Sequence, residues 1–241
     1  MTFWRNVLGP DQFRAHRAWI FRGRKGAGRL SLEALDLGEA RLSGSLFTYS
    51  QLDRCSFVGA AIVYSTFDHA EVRDCRMDRA TFHGSHFEEA KLERCRFVSG
   101  DLRRCSFLQA SIEECTFDSA ALVESDFIAA QVSNSSLQAV DLSAAQLDKA
   151  VFVNADLRKS ILSRTKSHET RFEDCDLRGA NLQGMRLNNT VFMRCKFSGI
   201  TGTPSVEGEY QVIEPDFSVA GDGSDVRLNE ESSPPWKTKT T

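Results

Sequence analysis

The sequence predicts an all-β repeat architecture that coils as a solenoid, and three observations predict it. Read in steps of five from Leu32 to Phe197, the chain meets a large apolar residue at 33 of 34 positions, only Ser167 departing. The overall apolar content of 41% would supply roughly 14 by composition alone. A second column stands two places before the first. Between positions 35 and 195 it holds Ala, Ser, Cys, Thr, Val or Gly in 31 of 33 cases, Leu35 and Met185 excepted, and it contains all seven cysteines. The other three positions of each five are mostly polar, as in Ala90-Lys91-Leu92-Glu93-Arg94. A period of five with two buried positions fits neither the 3.6 of a helix nor the 2.0 of a strand, so the backbone must turn once per repeat. Each unit then buries its apolar face only against its neighbours.

The repeats Ala155-Asp156-Leu157-Arg158-Lys159 and Ala180-Asn181-Leu182-Gln183-Gly184 resemble those of pentapeptide-repeat proteins, which read approximately Ala-Asp/Asn-Leu/Phe-x-x. The resemblance runs from residue 32 to residue 197 without an insertion. It implies a right-handed quadrilateral β-helix with four pentapeptides per coil, about eight coils in all, and it implies no single function, because the family is a scaffold put to different uses.

If a coil has 20 residues, residues 20 apart should stack. Cys55, Cys75, Cys95 and Cys115, then Cys175 and Cys195, fall in one such stack, interrupted by Ser135 and Ala155. Phe47, Phe67, Phe87, Phe107 and Phe127 form an inner column, Phe57, Phe97, Phe117 and Phe197 the facing one, and Leu42, Ile62, Phe82, Leu102 and their successors a third. At about 4.8 Å between stacked strands the rod is about 40 Å long. Because Ala and Ser fill the cysteine column interchangeably, Cys is expected there as a small buried hydrophobe, with neither disulfide nor zinc. Ser167 is expected to mark an irregular corner.

The ends differ from the rod. Residues 1–31 carry seven Arg or Lys against one acid, Asp11, together with Trp4, Phe13, Trp19, Ile20 and Phe21. Pro10-Asp11 opens a short helix that ends near Gly23. It is expected to cap the open first coil by packing Phe13, Trp19 or Phe21 on it, since solenoid ends otherwise associate edge to edge. A basic amphipathic segment for an anionic membrane or a nucleic acid is the alternative. Past Ile200 the pattern stops, and residues 201–241 hold eight acids against three bases. A stretch within 201–220 suits a second cap. Residues 221–241 read as a disordered tail.

No apolar run approaches the roughly 20 residues of a membrane span and no secretory signal follows the N-terminal arginines, so a cytoplasmic, mainly single-domain protein is expected. Enzyme chemistry finds no support: His16, His69, His83, His86 and His168 are isolated, no glycine-rich phosphate loop is present, and filled coils leave no cleft. No catalytic, cofactor or metal residue is assigned.

Outward charge is the remaining functional signal. Between 111 and 157 stand eight acids (Glu113, Glu114, Asp118, Glu124, Asp126, Asp141, Asp148 and Asp156) against Lys149, whereas 158–200 holds nine bases and four acids. The column Arg54, Asp74, Arg94, Glu114, Asn134, Asn154, Asp174, Arg194 alternates in sign or goes neutral, which suits a solvated edge. The leading expectation is a non-catalytic protein-binding scaffold using the rod surface, with Leu108 and Ile128 as an exposed apolar pair. The alternative carried by the family resemblance is a DNA mimic: its acidic tract would occupy and protect a type II topoisomerase, DNA gyrase, giving resistance to inhibitors or antibiotics. A net charge of only −3 and a basic C-terminal half weaken that alternative. In both readings the partner is a protein, and no direct nucleic-acid contact is expected.

Overall fold

The computed structural model describes residues 10–217. One helix, α1 (Pro10–Phe21), leads into a parallel coil whose ladders up to Ile200 pair residues 20 apart, beginning Ser31↔Gln51, Leu32↔Leu52 and Glu33↔Asp53. Four pentapeptides make one turn, and the sides can be followed from the first: side one at 31–35, side two at 36–40, side three at 41–45 and side four at 46–50, each recurring every 20 residues. Side one builds a ten-stranded parallel sheet, while the others are joined mainly by single bridges such as Asp36↔Ser56, Arg41↔Ala61 and Leu46↔Thr66. The result is a four-sided β-helix of about nine turns.

The five-residue period is enforced at the corners. From Ala34 to Gly199 every fifth residue, two places after the large apolar one, has positive φ, near 50–70°. Only six of those 34 are glycine and none is β-branched. Left-handed backbone costs an L-residue roughly 1–2 kcal/mol, and β-branching would make it worse. The conformation persists because corner amides from Ala34 to Gly184 are spoken for one coil further on: Glu39 N–H donates to Val58 O at 3.0 Å, Tyr49 N–H to Asp68 O at 2.8 Å. The apolar plug beside each corner adds to this. A fully buried Phe or Leu contributes roughly 1.5–3 kcal/mol against exposure, and the column Leu37 to Phe197 is buried throughout.

The predicted columns form. Phe47, Phe67, Phe87, Phe107 and Phe127 stack face to face at centroid distances of 4.6, 4.7, 5.0 and 4.8 Å, and Phe97 stacks on Phe117 at 4.7 Å. All seven cysteines are free thiols in the interior. Their column does more than fill space. At the corner between sides one and two the bend leaves an amide outside the backbone ladder, and the next coil's side chain accepts it: Cys55 N–H to Cys75 Sγ at 3.4 Å, Cys95 N–H to Cys115 Sγ at 3.3 Å, Cys115 N–H to Ser135 Oγ at 3.0 Å. Six of the seven cysteines stand in this column, where a small side chain fits and a sulfur or hydroxyl can accept the amide.

Four expectations need correction. Ser167 does not make an irregular corner. Its hydroxyl donates to Arg186 O at 2.6 Å and lies 3.1 Å from the Thr190 hydroxyl, which in turn bonds Ser167 O. The site extends into a regular strand, Lys166–His168, paired with Arg186–Asn188. A polar plug is thus satisfied inside the coil and needs no break in it.

The ladder also runs on past Ile200. Thr201 bridges Asn181, Tyr210–Ile213 pairs with Thr190–Met193, and Asp216 bridges Lys196, so Val212 and Phe217 continue two of the apolar columns. What hides this in the sequence is a one-residue slip. Ser205 pairs with Arg186 at a 19-residue offset before the 20-residue register resumes at Tyr210. Gly202 sits at the entry to the slip, where φ is 74° and an added Cβ would come within 2.6 Å of the Gln183 amide nitrogen. The proposed tail, 221–241, lies outside the described residues.

Third, of the three aromatic residues named for the cap, Phe13 and Trp19 meet the rod and Phe21 does not. Phe13 rests edge-on against Phe47 at 5.3 Å and Trp19 is buried, but Phe21 is 77% exposed. At 100° per residue Phe21 points away from the strip Phe13, His16, Trp19 that faces the rod. Fourth, Leu108 and Ile128 are half-buried among their outward neighbours and form no exposed pair.

Candidate interaction surface

The four sides decide what the outward residues can do together. Glu113 and Glu114 stand on side one, Asp118 on side two, Glu124 and Asp141 on side three, and Asp126, Asp148, Leu108 and Ile128 on side four. A tract that is contiguous in sequence is therefore dealt out to every side of the rod.

Most of those carboxylates also serve the coil. Asp126 Oδ1 accepts the Ile128 amide at 2.8 Å and Asp141 Oδ1 the Ser143 amide at 2.9 Å. The same cap recurs at Asp36, Asp101, Asp156, Asp176 and Asn181, each on the amide two residues ahead. This Asx turn is why a short carboxylate or amide suits the position before the apolar plug. One position after the plug, Asp118 Oδ1 accepts the Gln138 amide at 3.0 Å and Asp148 Oδ1 the His168 amide at 2.9 Å, both from the next coil. Glu124 pairs with Arg104 at 2.8 Å.

The charge ladder expected at the corner of sides one and two is present. Arg94 grips Asp74 at 2.8 and 3.1 Å, Arg194 grips Asp174 at 2.7 and 2.8 Å, and the neutral step is spanned by Asn154 donating to Asn134 at 2.9 Å. The Arg94 bond holds the Asp74 carboxyl below its usual range, as Arg194 does for Asp174. These are exposed pairs, and side one is largely occupied with itself.

Side four collects carboxylates that the sequence does not place together: Asp68, Glu88, Asp126 and Asp148. Burial raises the Asp68 and Asp126 carboxyls, and the nearby Glu88 adds to both. Three histidines share this side, with His69 3.4 Å from Glu89, His86 3.5 Å from Glu88 and His168 3.1 Å from Glu169. Among the described residues no group of His, Cys, Asp or Glu has the geometry to hold a metal ion, and no helix is long and apolar enough to cross a membrane.

Side three is the least charged. Between 41 and 185 it carries seven Asp, Glu, Lys or Arg, fewer than any other side, and Ala61, Val63, Gly84, Ala121, Val123 and Ala144 keep its profile low. On it stand Tyr64, 67% exposed, and Ile161, 36% exposed. The Tyr64 ring lies over Gly84, where a Cβ would come within 2.7 Å of it, and meets His83 edge-on at 5.9 Å. A hollow of about 270 Å³ lined by His83, Arg103, Arg104, Val123 and Glu124 adjoins it. Tyr64 carried no periodic signal of its own. It occupies a corner position, and only the glycine 20 residues later hints that an aromatic ring is laid across the coil.

No curated protein sequence aligns significantly with the chain. Among solved structures it is similar to HetL, a pentapeptide repeat protein involved in heterocyst differentiation regulation from the cyanobacterium Nostoc sp. strain PCC 7120. The TM-score is 0.53 at 21% identity over 83% of this chain and 97% of that one. Full-length QnrB1, a plasmid-mediated fluoroquinolone resistance protein, aligns at 16% identity over 79% of this chain and 92% of its own, with a TM-score of 0.36. The first likeness bears on the fold alone and the second is too low to carry an argument. A family model described as pentapeptide repeats matches eight copies at residues 63–97, 125–164 and 170–201. With the unbroken five-residue period and the four-sided ladder, these eight copies show that the rod is built of pentapeptide repeats.

Proposed function

We propose that the protein is a non-catalytic scaffold that binds another protein along side three of the rod, with Tyr64 as the anchor. The observation that carries this reading is the placement of the rod's two exposed large apolar side chains before the last turn, Tyr64 and Ile161, on the side with the fewest charges. Interfaces favour an aromatic anchor in a patch depleted of charge. The interior is filled by buried side chains, so non-repeating chemistry is confined to the outward positions.

Topoisomerase protection by DNA mimicry draws less support. The acids of 111–157 are divided among four sides, and five of the seven candidate carboxylates are engaged by coil amides or by Arg104. The test is comparative. Partners crosslinked by the parent protein are compared with those of Tyr64→Glu, Ile161→Asp, and a side-one control, Arg94→Ala. The proposal expects a partner lost with the first two variants and kept with the third. Loss in all three, or in none, would refute it. A gyrase supercoiling assay run alongside is expected to show no protection; protection that vanishes in Glu113→Lys/Glu114→Lys would instead favour mimicry.

A further inference from the structure

We infer that His16 is a proton-sensitive latch holding α1 on the end of the rod. The ring is fully buried between the helix and the first coil. Its Nδ1 accepts the Leu30 amide at 2.9 Å and its Nε2 lies 2.8 Å from Thr48 O. A carbonyl can only accept and an amide can only donate, so these two bonds require the neutral ring with the proton on Nε2. One side chain thus joins three parts of the chain: the helix, the segment entering the first strand, and side four of the first coil.

A second proton on Nδ1 would face the Leu30 N–H donor to donor inside a buried site. The Thr48 and Gly28 backbone groups favour the charged ring, but burial outweighs them, and no carboxylate comes to its aid. Within α1 the ring stacks on Trp19 at 5.7 Å, and Asp11, the one acid of the helix, is exposed and bonded to Arg14. From the entering segment the facing charge is Arg29, whose guanidinium is engaged by Tyr49 O at 2.6 Å and by Glu71 at 3.1 Å. From side four the Thr48 carbonyl bonds the ring, and the neutral Phe47 meets the neighbouring Phe13. Burial is the main cause that lowers the His16 pKa from its usual 6.5, and Arg29 adds to it.

A histidine whose pKa is lowered in the docked state contributes its full stabilisation above about 6.5 and loses it as pH falls toward the docked value. The docked–undocked equilibrium should shift toward undocked by up to about tenfold per pH unit in that window. Undocking uncovers Phe13, Trp19 and the free face of Phe47, and it frees the Leu30 amide. The latch therefore couples acidity to exposure of the rod's apolar end.

Amide exchange of the full chain, corrected for intrinsic rates and read between pH 7.5 and 5.0, tests this. Protection across Pro10–Phe21 and at Leu30 is expected to fall severalfold or more on acidification, while amides of the strands Lys91–Glu93 and Ser111–Glu113 hold. In His16→Gln, which cannot gain a charge, protection of the helix should be lower at neutral pH and flat across the window. His69, stacked on Tyr49 at 4.5 Å, is present in both proteins and cannot account for a difference between them. Equal helix protection at both pH values in the parent, or an unchanged pH dependence in the variant, overturns the proposal. Should His16→Gln fail to fold, NMR titration of the parent decides. His16 must protonate over the same interval in which the helix signals exchange, and protonation without loss of helix protection also overturns it.

Discussion

Side four contains two solutions to one geometric problem. In its first half the interior is a stack of five phenylalanines, Phe47 to Phe127, and the backbone there touches the next coil mainly through single bridges. In its second half the column continues as Leu147, Ser167 and Leu187, and the backbone straightens into the paired strands Lys166–His168 and Arg186–Asn188. The first half is held by wide apolar plugs in stacked contact, the second by thinner plugs, more ladder hydrogen bonds and the Ser167–Thr190 pair. The coil thus specifies a shape to be filled, and aromatic stacking and buried hydrogen bonding can each fill it, because both satisfy the demand for a dense interior with no orphaned polar group.

The largest expected effect comes from emptying the aromatic half. Phe87 contacts Phe67 at 4.7 Å, Phe107 at 5.0 Å and Phe82 at 5.6 Å, so Phe87→Ala should cost about 3–5 kcal/mol in urea unfolding, against about 2–5 kcal/mol for Leu147→Ala. Equal losses would erase the distinction between the halves. Next is the polar plug. Ser167→Ala takes a hydroxyl away from the Arg186 carbonyl, while Thr190 keeps the Ser167 carbonyl and the Asn188 amide, and should cost about 1–3 kcal/mol; Ser167→Ala with Thr190→Val should cost less than the two single changes added together. Strict additivity would mean that the pair does not act as a unit.

A smaller effect concerns the thiols. Burial pushes the Cys105 thiol up to about 12, so it should stay unlabelled by a thiol reagent at pH 8 until the rod unfolds. Cys95→Ser should stay within about 1 kcal/mol of the parent, since Ser135 already performs the same bond with its hydroxyl, whereas Cys95→Leu should overpack the corner by about 1–3 kcal/mol. The smallest effect is at the turns. Ala144 has φ of 58°, and Ala144→Gly trades relief of left-handed strain against about 0.5–1 kcal/mol of chain entropy, so the melting point should move little or rise slightly. A clear fall would show that the corner residues contribute packing as well as conformation.

The spacing of five by itself determined which residues are inside. It requires a turn per repeat, and a turn per repeat leaves two inward positions whatever their chemistry, so Phe47, Cys75 and even Ser167 could be placed in the interior from the sequence. The charge alternation along Arg94 and Asp74 was legible for the same reason, as stacking is a fixed 20-residue step. The tertiary structure alone decided which outward residues become neighbours. Glu113, Asp118, Glu124 and Asp126 are close in sequence but stand on four different sides, whereas Asp68, Glu88 and Asp126 are far apart in sequence and face one way. The burial of His16 likewise depends on where the first coil ends, and the turn beyond Ile200 is masked by the 19-residue step at Ser205. A local period can report burial because burial is set within one turn. It cannot report a surface, because a surface is assembled across turns.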